Sequence, residues 1–319
     1  MTPLVWIGRV LRRCPRLLGG LAVLLMAPGL GAQPAPDAIW STAAQRWLPY
    51  TEFVQALRTA DLVFLGEQHD NPFHHEVRAR LIADLARPGL RLVFEQLPAQ
   101  GRFTISPEAT DLLGLLRAQG LQDKAWGWPL HAPLFSVAQR LAIPVSGGNL
   151  PAGLGRRVYV EGAQALPPSI QKALLSAPLT GVAREALDRA LVDGHCGKLP
   201  ASMAPVMRLI QQATDLSLLL TAQAEQPAIV IAGNGHVQKI FGIPQYVRQL
   251  YPAARYWSVG LLERDTPPPD HPVRPVAETD TRQWPSLEDQ QRYDFIWLTP
   301  SMDREDPCKG FSLSGSDPG

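Results

Sequence analysis

A glutamate, a histidine and an aspartate follow a short apolar run early in the sequence. The run LVFLG ends at residue 66, and Glu67, His69 and Asp70 come directly after it. Side chains of these three types bind divalent metals and transfer protons. The same cluster is also typical of a polar turn in which Glu67 caps the next helix. Its meaning therefore depends on whether similar residues converge on it from elsewhere in the chain.

Four apolar or β-branched runs share this design, because each stops at a glycine or a polar residue. They are DLVFLGEQH (61–69), LRLVFEQL (90–97), AIPVSGGN (142–149) and PAIVIAGNGH (227–236). Helical patterns separate them, and runs of this length with intervening helices are typical of central strands in a parallel sheet. The sequence therefore predicts an α/β fold with a mostly parallel central sheet and helices on both faces.

The intervening helices have recognisable starts. Asn71 can cap the first of them and Pro72 suits its first position, while Val77, Leu81 and Leu85 share one face. Further helices are predicted at 107–119, 131–141, 168–192, 203–223 and 243–250, and we interpret 151–223 as a helical insertion or a cap. Residues 33–60 are predicted to be a Pro/Ala-rich leader followed by a helix. Two runs, 256–263 and 293–300, are predicted as edge strands joined by a Pro-rich surface loop.

The strand prediction brings distant residues together. In an open parallel sheet, ligands bind at the carboxyl ends of the strands. The residues expected at that edge are Glu67, His69 and Asp70 from the first strand, Glu95 from the second, Asn149 from the third, and Asn234 and His236 from the fourth. His75 lies in the first turn of the following helix and can lean back over this edge, whereas His74 is expected to point to solvent. We therefore predict one cleft that contains two or three histidines and two carboxylates.

Two kinds of chemistry fit such a cleft. The first is a divalent metal such as zinc, manganese or cobalt, held by Glu67, His69, Glu95 and His236 with one position open for water. In a hydrolase of this kind Glu67 or Glu95 would be catalytic and activate the water. Asn149 or Asn234 would then stabilise the oxyanion.

The second chemistry is haem binding, since haem iron accepts imidazole or phenolate as an axial ligand. The candidates for haem binding are His69, His75, His131 and Tyr246. The sequence has no CxxCH motif for covalent haem attachment. The aromatic residues near His131, Trp126 and Trp128, could line a cofactor pocket or belong to the core.

The first 32 residues resemble a secretory signal peptide. Four arginines precede the apolar stretch LLGGLAVLLMAPGL, and small residues follow it near Ala32; a retained N-terminal anchor is the alternative. Without this segment 26 basic residues face 29 acidic ones, a net charge of −3, which argues against nucleic-acid binding. No cysteine ends the apolar stretch, so no lipid attachment is expected there. We predict a periplasmic protein.

Two cysteines remain after the signal peptide. Cys196 and Cys308 would form a disulfide in an oxidising compartment; two free thiols are the alternative. Such a bond would fasten the end of a single domain spanning 33–308, followed by a disordered tail at 309–319.

Taken in order, the motifs resemble those of the ChaN family of haem-binding uptake proteins. They are LVFLGEQHDNPFHH, LVFEQL, WGWPLHAPLF, GGNLP, HCGKLP, IAGNGHVQKIFGIP and FIWLTP with DREDPC, between about residues 45 and 308. The wider superfamily includes the Tiki metalloproteases and erythromycin esterases, which are similar in their paired motifs, here Gly66 to His69 and Gly233 to His236.

The resemblance implies a periplasmic haem-binding protein that assists haem or iron uptake and receives haem from an outer-membrane receptor. If haem were sandwiched between subunits, a homodimer would follow. The alternative that the superfamily implies is a metal-dependent hydrolase. The chain departs from haem-binding members in two respects. It lacks their lipobox cysteine, and GWPLHAPLF, the motif in which a haem-ligating tyrosine like the family's would be sought, contains His131 and no tyrosine.

Overall fold

An eight-stranded sheet forms the centre of the protein in a computed structural model, which describes residues 37–264 and 285–309. The strands are β1 (Ala38–Ser41), β2 (Arg46–Leu48), β3 (Leu62–Leu65), β4 (Arg91–Pro98), β5 (Val145–Asn149), β6 (Ala228–Ile231), β7 (Tyr256–Arg264) and β8 (Phe295–Pro300). Their order across the sheet is β2-β1-β8-β7-β3-β6-β4-β5. Strands β3 to β8 pair in parallel, and β1 pairs antiparallel with both β2 and β8. The predicted mostly parallel sheet is confirmed.

Helices cover both faces of this sheet, as predicted. They are α1 (Tyr50–Leu57), α2 (Pro72–Leu85), α3 (Leu112–Ala118), α4 (Ala132–Arg140), α5 (Leu154–Glu161), α6 (Pro168–Ser176), α7 (Gly181–Gly194), α8 (Ala204–Ala224), α9 (Asn234–Val237), α10 (Ile243–Leu250) and α11 (Leu287–Arg292). Side chains of α1, α2 and α4 pack in the core on one face, and those of α5, α6, α8 and α10 pack in the core on the other. Among the described residues, no helix combines the length and the hydrophobicity needed to cross a membrane.

Strand β3 is buried along its whole length because it lies between β6 and β7. Val63 and Leu65 point into the core beside α2, while Leu62 and Phe64 point into the opposite core. The alternation of side chains along a strand explains this division. A strand buried on both faces must be apolar throughout, so the first polar residues of the segment appear where β3 ends, at the edge that carries the site.

Helix α2 begins where the sequence predicts. The side chain of Asn71 accepts a hydrogen bond from the Phe73 amide, and Pro72 is the first helical residue. Its buried face begins with polar side chains, however. His74 is fully buried, so the prediction that it points to solvent is wrong. The Gln68 amide donates to its Nδ1 and its Nε2 donates to Thr299, which satisfies both ring nitrogens.

Three other predictions need correction. The segments 256–263 and 293–300 are not edge strands, because β7 lies between β3 and β8, and β8 lies between β7 and β1. The edge beyond them is formed by β1 and β2, two strands within the predicted leader. The single helix predicted at 168–192 is two helices, α6 and α7, separated at the Pro-containing segment 177–180, because proline removes a donor and restricts the preceding residue.

The segment from 151 to 223 is a layer on the sheet. Helix α8 packs directly on β4, β5 and β6, and α5, α6 and α7 pack on α8. The predicted signal peptide (1–32), the Pro-rich loop between β7 and β8 and nearly all of the predicted tail (309–319) lie outside the described residues.

A disulfide joins Cys196, just after α7, to Cys308, which follows β8. The bond closes a loop with a sequence separation of 112 residues. Between β8 and Cys308, Arg304 forms ion pairs with Asp70 and Glu263. The segment 301–309 is therefore fastened both to the α7–α8 connection and to the loop after β3.

We expect Cys308→Ser to lower the free energy of unfolding by about 2–5 kcal/mol, because a long loop is no longer closed in the unfolded chain. Urea unfolding of the oxidised proteins measures this difference. A reductant should destabilise the wild type to a similar degree and leave Cys308→Ser unchanged. Equal stability of the two oxidised proteins would contradict the expectation.

Candidate functional site

A buried carboxylate, Glu67, forms the centre of one group of polar side chains. It follows β3, and its side chain has no exposed surface. Its Oε1 accepts hydrogen bonds from His69 Nδ1, 2.6 Å away, and from Gln96 Nε2, 3.0 Å away. Its Oε2 pairs with the guanidinium of Arg78 from α2. A buried carboxylate needs such partners, because burying it unpaired would cost several kcal/mol.

Two fully buried histidines complete this group. His75 Nε2 donates to the backbone carbonyl of His69 at 2.9 Å, which leaves Nδ1 to accept from Arg78 at 2.8 Å. His131 lies with Nδ1 3.1 Å from the Trp126 carbonyl and Nε2 3.2 Å from Glu67. Burial lowers the pKa of His75 to about 4 and, together with the charge of Arg78, that of His131 to about 2. Both imidazoles are therefore neutral at neutral pH.

The geometry of a metal site is present at Glu67, His75 and His131, but two of these residues already contact a cation. One ligand atom from each lies within 4.8 Å of the others. The guanidinium of Arg78, itself fully buried, bonds both Glu67 and His75. Burial lowers the pKa of Arg78 only to about 9, so it stays charged at neutral pH. A divalent ion here would face a buried positive charge, so these residues do not fit a metal.

A second group surrounds Glu95, which lies within β4 directly after the residues that pair with β6. The Gly233 amide donates to Glu95 Oε2 at 2.7 Å, while Oε1 lies 3.3 Å from His236 Nε2 and 4.0 Å from His69 Nε2. On its other side, His236 Nδ1 donates to Asp215 at 2.6 Å. Glu95 therefore faces the Nε2 atoms of both His69 and His236.

Burial and neighbouring charges set the protonation of this second group. Burial opposes the charged form of His236, but Glu95 and Asp215 outweigh that effect and hold its pKa well above the ordinary value. Burial would raise the pKa of Glu95, yet His236 and His69 lower it to about 2. Asp215 has its pKa raised to about 6, mainly by burial. An imidazolium between two carboxylates is the arrangement that results at neutral pH.

Asp215 was not predicted as a site residue, although its position in an apolar run of the sequence indicates that it is buried and paired. It lies within α8 in the run ATDLSLLL, and its side chain is fully buried. An acidic residue on the buried face of an otherwise apolar helix is rarely left without a partner. Arg78 gave the same signal, since it shares a helical face with Leu81, Ile82 and Leu85. Both residues could have been identified as partners for the predicted carboxylates and histidines.

His69 stands at the surface between the two groups. Its side chain is 47% exposed, and its ring meets the edge of Trp126 with centroids 5.2 Å apart. A Cβ on Gly233 would lie 2.8 Å from Nε2, so the absence of a side chain there keeps Nε2 uncovered. Trp126 also lines a pocket of about 260 Å³ together with Asn149, Ile210 and Thr214.

Three of the other predicted residues have contacts of their own and do not join either group. Tyr246 is fully buried in the core beside α8, where burial raises the pKa of its hydroxyl, so it does not reach a ligand from outside. Asn234 uses its amide to bond the backbone of Leu261. Asp70 pairs with Arg304. Of the predicted amides, Asn149 therefore faces the pocket and Asn234 has a structural contact instead.

Comparison with known proteins places these residues in a family. The model of the haem-binding uptake family ChaN, of the Tiki superfamily, matches residues 53–247. The chain belongs to this family. The matched ChaN region contains all members of both groups, from Glu67 and His69 to Asp215 and His236.

A solved structure of a ChaN protein shares this fold. The structure of ChaN from Campylobacter jejuni, described by its cofacial haem binding, shares 18% sequence identity over 83% of this chain and 97% of that one, with a TM-score of 0.58. The type III effector HopBA1 (13% identity, 78% and 92% coverage, TM-score 0.35) and a Bacillus cereus protein (17%, 78% and 79%, 0.36) are more distant. No curated protein matches the sequence.

We expect Glu67→Gln to lower the free energy of unfolding by about 3–5 kcal/mol, because Arg78 would keep a buried charge without its carboxylate. The double variant Glu67→Gln/Arg78→Met should recover much of the loss, because it removes the orphaned charge. Urea unfolding of the three proteins gives the comparison. The pairing would be disproved by a single variant as stable as the wild type.

Proposed function

We propose that this ChaN-family protein binds haem in the periplasm and assists haem or iron uptake, with His69 as the axial ligand. The observation that supports this proposal is the exposure of the His69 ring. Of the four predicted haem ligands, His75, His131 and Tyr246 are each at most 1% exposed, whereas the side chain of His69 is 47% exposed. A ligand that arrives from outside can reach only this one without a rearrangement.

The contacts of His69 suit an axial ligand. Its Nδ1 donates to the buried carboxylate of Glu67, which fixes the tautomer and leaves the lone pair on Nε2. A carboxylate in this position also raises the basicity of the imidazole, so Nε2 binds a metal more strongly. The missing side chain of Gly233 leaves space at Nε2, and Trp126 offers an aromatic wall beside it. Aromatic walls suit a flat, largely apolar macrocycle.

Assembly and location are part of the same proposal. The similarity to the Campylobacter protein, whose description reports cofacial haem binding, supports a homodimer that encloses haem between its subunits. The signal-peptide pattern of residues 1–32 supports a periplasmic location. An outer-membrane haem receptor would then be the source of the haem.

We expect His69→Ala to weaken haem binding by roughly a hundredfold or more and to abolish the absorption spectrum of imidazole-ligated haem. Removing only the hydrogen-bond partner of a metal-ligating residue already lowers the affinity for the metal about 10–100-fold. Titration of the metal-free protein with haem, followed by absorption, measures both effects.

His195→Ala is the control, because His195 follows α7 outside the site. Tyr159 is the most exposed tyrosine, with 57% of its surface accessible, so its phenolate is the alternative axial ligand. A spectrum that changes in Tyr159→Phe but not in His69→Ala would overturn the assignment.

A second candidate function is metal-dependent hydrolysis, favoured by one specific observation. His69 and His236 each donate Nδ1 to a buried carboxylate, Glu67 and Asp215, and each directs Nε2 towards the same oxygen of Glu95. Histidines that ligate metals are almost always held in this way. Two imidazoles and one carboxylate are donor types that suit zinc, manganese or cobalt.

A hydrolase of this kind would hold the ion with Glu95, His69 and His236. A bound ion polarises substrates and lowers the pKa of a water molecule that it binds. Asp215 and Glu67 orient the two rings, and Asn149 lies on the wall of the adjacent pocket, where it can donate to a substrate oxygen. The substrate would enter from the side of Trp126.

We expect Glu95→Gln to abolish binding of Zn²⁺, Mn²⁺ or Co²⁺, and Asp215→Asn to weaken it by roughly 10–100-fold. Equilibrium dialysis of chelator-treated protein against each ion measures the affinity. Asp70→Asn serves as the matched control, since Asp70 is a nearby carboxylate that pairs with Arg304. Failure of the wild-type protein to retain any of these ions would exclude this second candidate.

A further inference from the structure

A groove extends from the site along the layer of helices that follows β5. The pocket beside Trp126 shares Pro151 and Ala152 with a second pocket of about 510 Å³, which is lined further along by Leu154, Leu166 and Arg157. We call these two adjoining pockets the cap groove. Because Trp126 contacts His69, one end of the cap groove lies beside the exposed histidine and the other beside Arg157.

The composition of the second pocket defines the chemistry of its ligand. Alanine, leucine, proline and glycine line it, and Arg157 is its one charged side chain. The walls are rigid, because Pro151, Pro167 and Pro168 have restricted backbones. Such a surface suits a flat, rigid, apolar body with an acidic group at one end. Its volume also lies within the range of about 300–1,000 Å³ that is typical of small-molecule sites.

Arg157 is available to an acidic ligand. Its side chain is 59% exposed, and it contacts Glu161 one helical turn away at 3.3–3.4 Å. Exposed pairs of this kind contribute at most about 1 kcal/mol to stability. A ligand carboxylate placed over the apolar pocket would replace Glu161 as the partner of Arg157 and accept a charge-assisted, bidentate hydrogen bond from it.

We infer that the cap groove binds a tetrapyrrole by its carboxylate edge, with the macrocycle on Pro151 and Ala152 and a propionate on Arg157. This inference rests on the proposed haem-binding function and adds the orientation and the chemical specificity of the ligand. It places the propionates away from His69 and makes esterified tetrapyrroles poor ligands.

Two substitutions separate the apolar and the charged contributions. Ala152 is exposed, so Ala152→Trp fills the cap groove without disturbing the core. We expect it to weaken binding of both haem and haem dimethyl ester by roughly tenfold or more. Arg157→Glu should weaken haem binding by about tenfold or more, the value of one charge-assisted hydrogen bond, and change ester binding little.

The control is Arg184→Glu, an equal change of charge at an exposed position on α7 that is not part of the cap groove. Affinities come from absorption titrations of the purified full chain, with circular dichroism as a check that each variant is folded. The wild type should prefer haem to its dimethyl ester, and Arg184→Glu should keep that preference.

The outcomes are distinguishable from those of the proposed function. A wild-type protein that binds no haem refutes the proposed function itself. If the wild type binds haem while Ala152→Trp binds it equally well, the cap groove is not the site and the inference is overturned. Equal affinities for haem and the ester, or an equal loss in Arg157→Glu and Arg184→Glu, would overturn the role of Arg157.

Discussion

The buried ion pair between Glu67 and Arg78 is the constraint on which the site depends. Neither side chain has exposed surface, so each charge is tolerable only because the other is present. Arg78 takes one oxygen of Glu67, and the other oxygen remains for His69. The orientation of the exposed histidine is therefore set by a cation on α2, a helix that the sequence places correctly from its cap and its first proline.

The apolar runs were predictable because burial on both faces requires them to be continuous. The polar residues after β3 and β6, and Glu95 within β4, stood out against these runs. What the runs could not reveal was the order of strands. Segment 256–264 reads like the other central runs, and its position between β3 and β8 depends on pairings between residues far apart in the chain. The hairpin β1–β2 is only four and three residues long, too short for a period of two to be recognised.

Within the site, the sequence predicted that Glu67 and Glu95 lie near His69 and His236, but it did not predict the partners that hold them. His75 and His131 were candidates for haem binding, and the structure shows them as neutral, buried imidazoles that surround Glu67. The distinction could not come from spacing, because a histidine in the first turn of α2 can face either the cleft or the core. Asp215 and Arg78 were missed since each occurs alone in an apolar helical face, where its partner lies on another element.

Haem and a divalent metal cannot use His69 together, because both would bind the single lone pair on Nε2. A metal would also draw His69 and His236 towards Glu95, whose Oε1 lies 4.0 Å from His69 Nε2 and 3.3 Å from His236 Nε2. Haem needs the opposite, an open approach over Gly233. The pKa of His236, held high by Glu95 and Asp215, weighs against the metal at neutral pH as well as at low pH, since a protonated imidazole cannot ligate. Haem ligation by His69 does not require His236 to lose its proton, so the charged state of His236 favours haem over the metal.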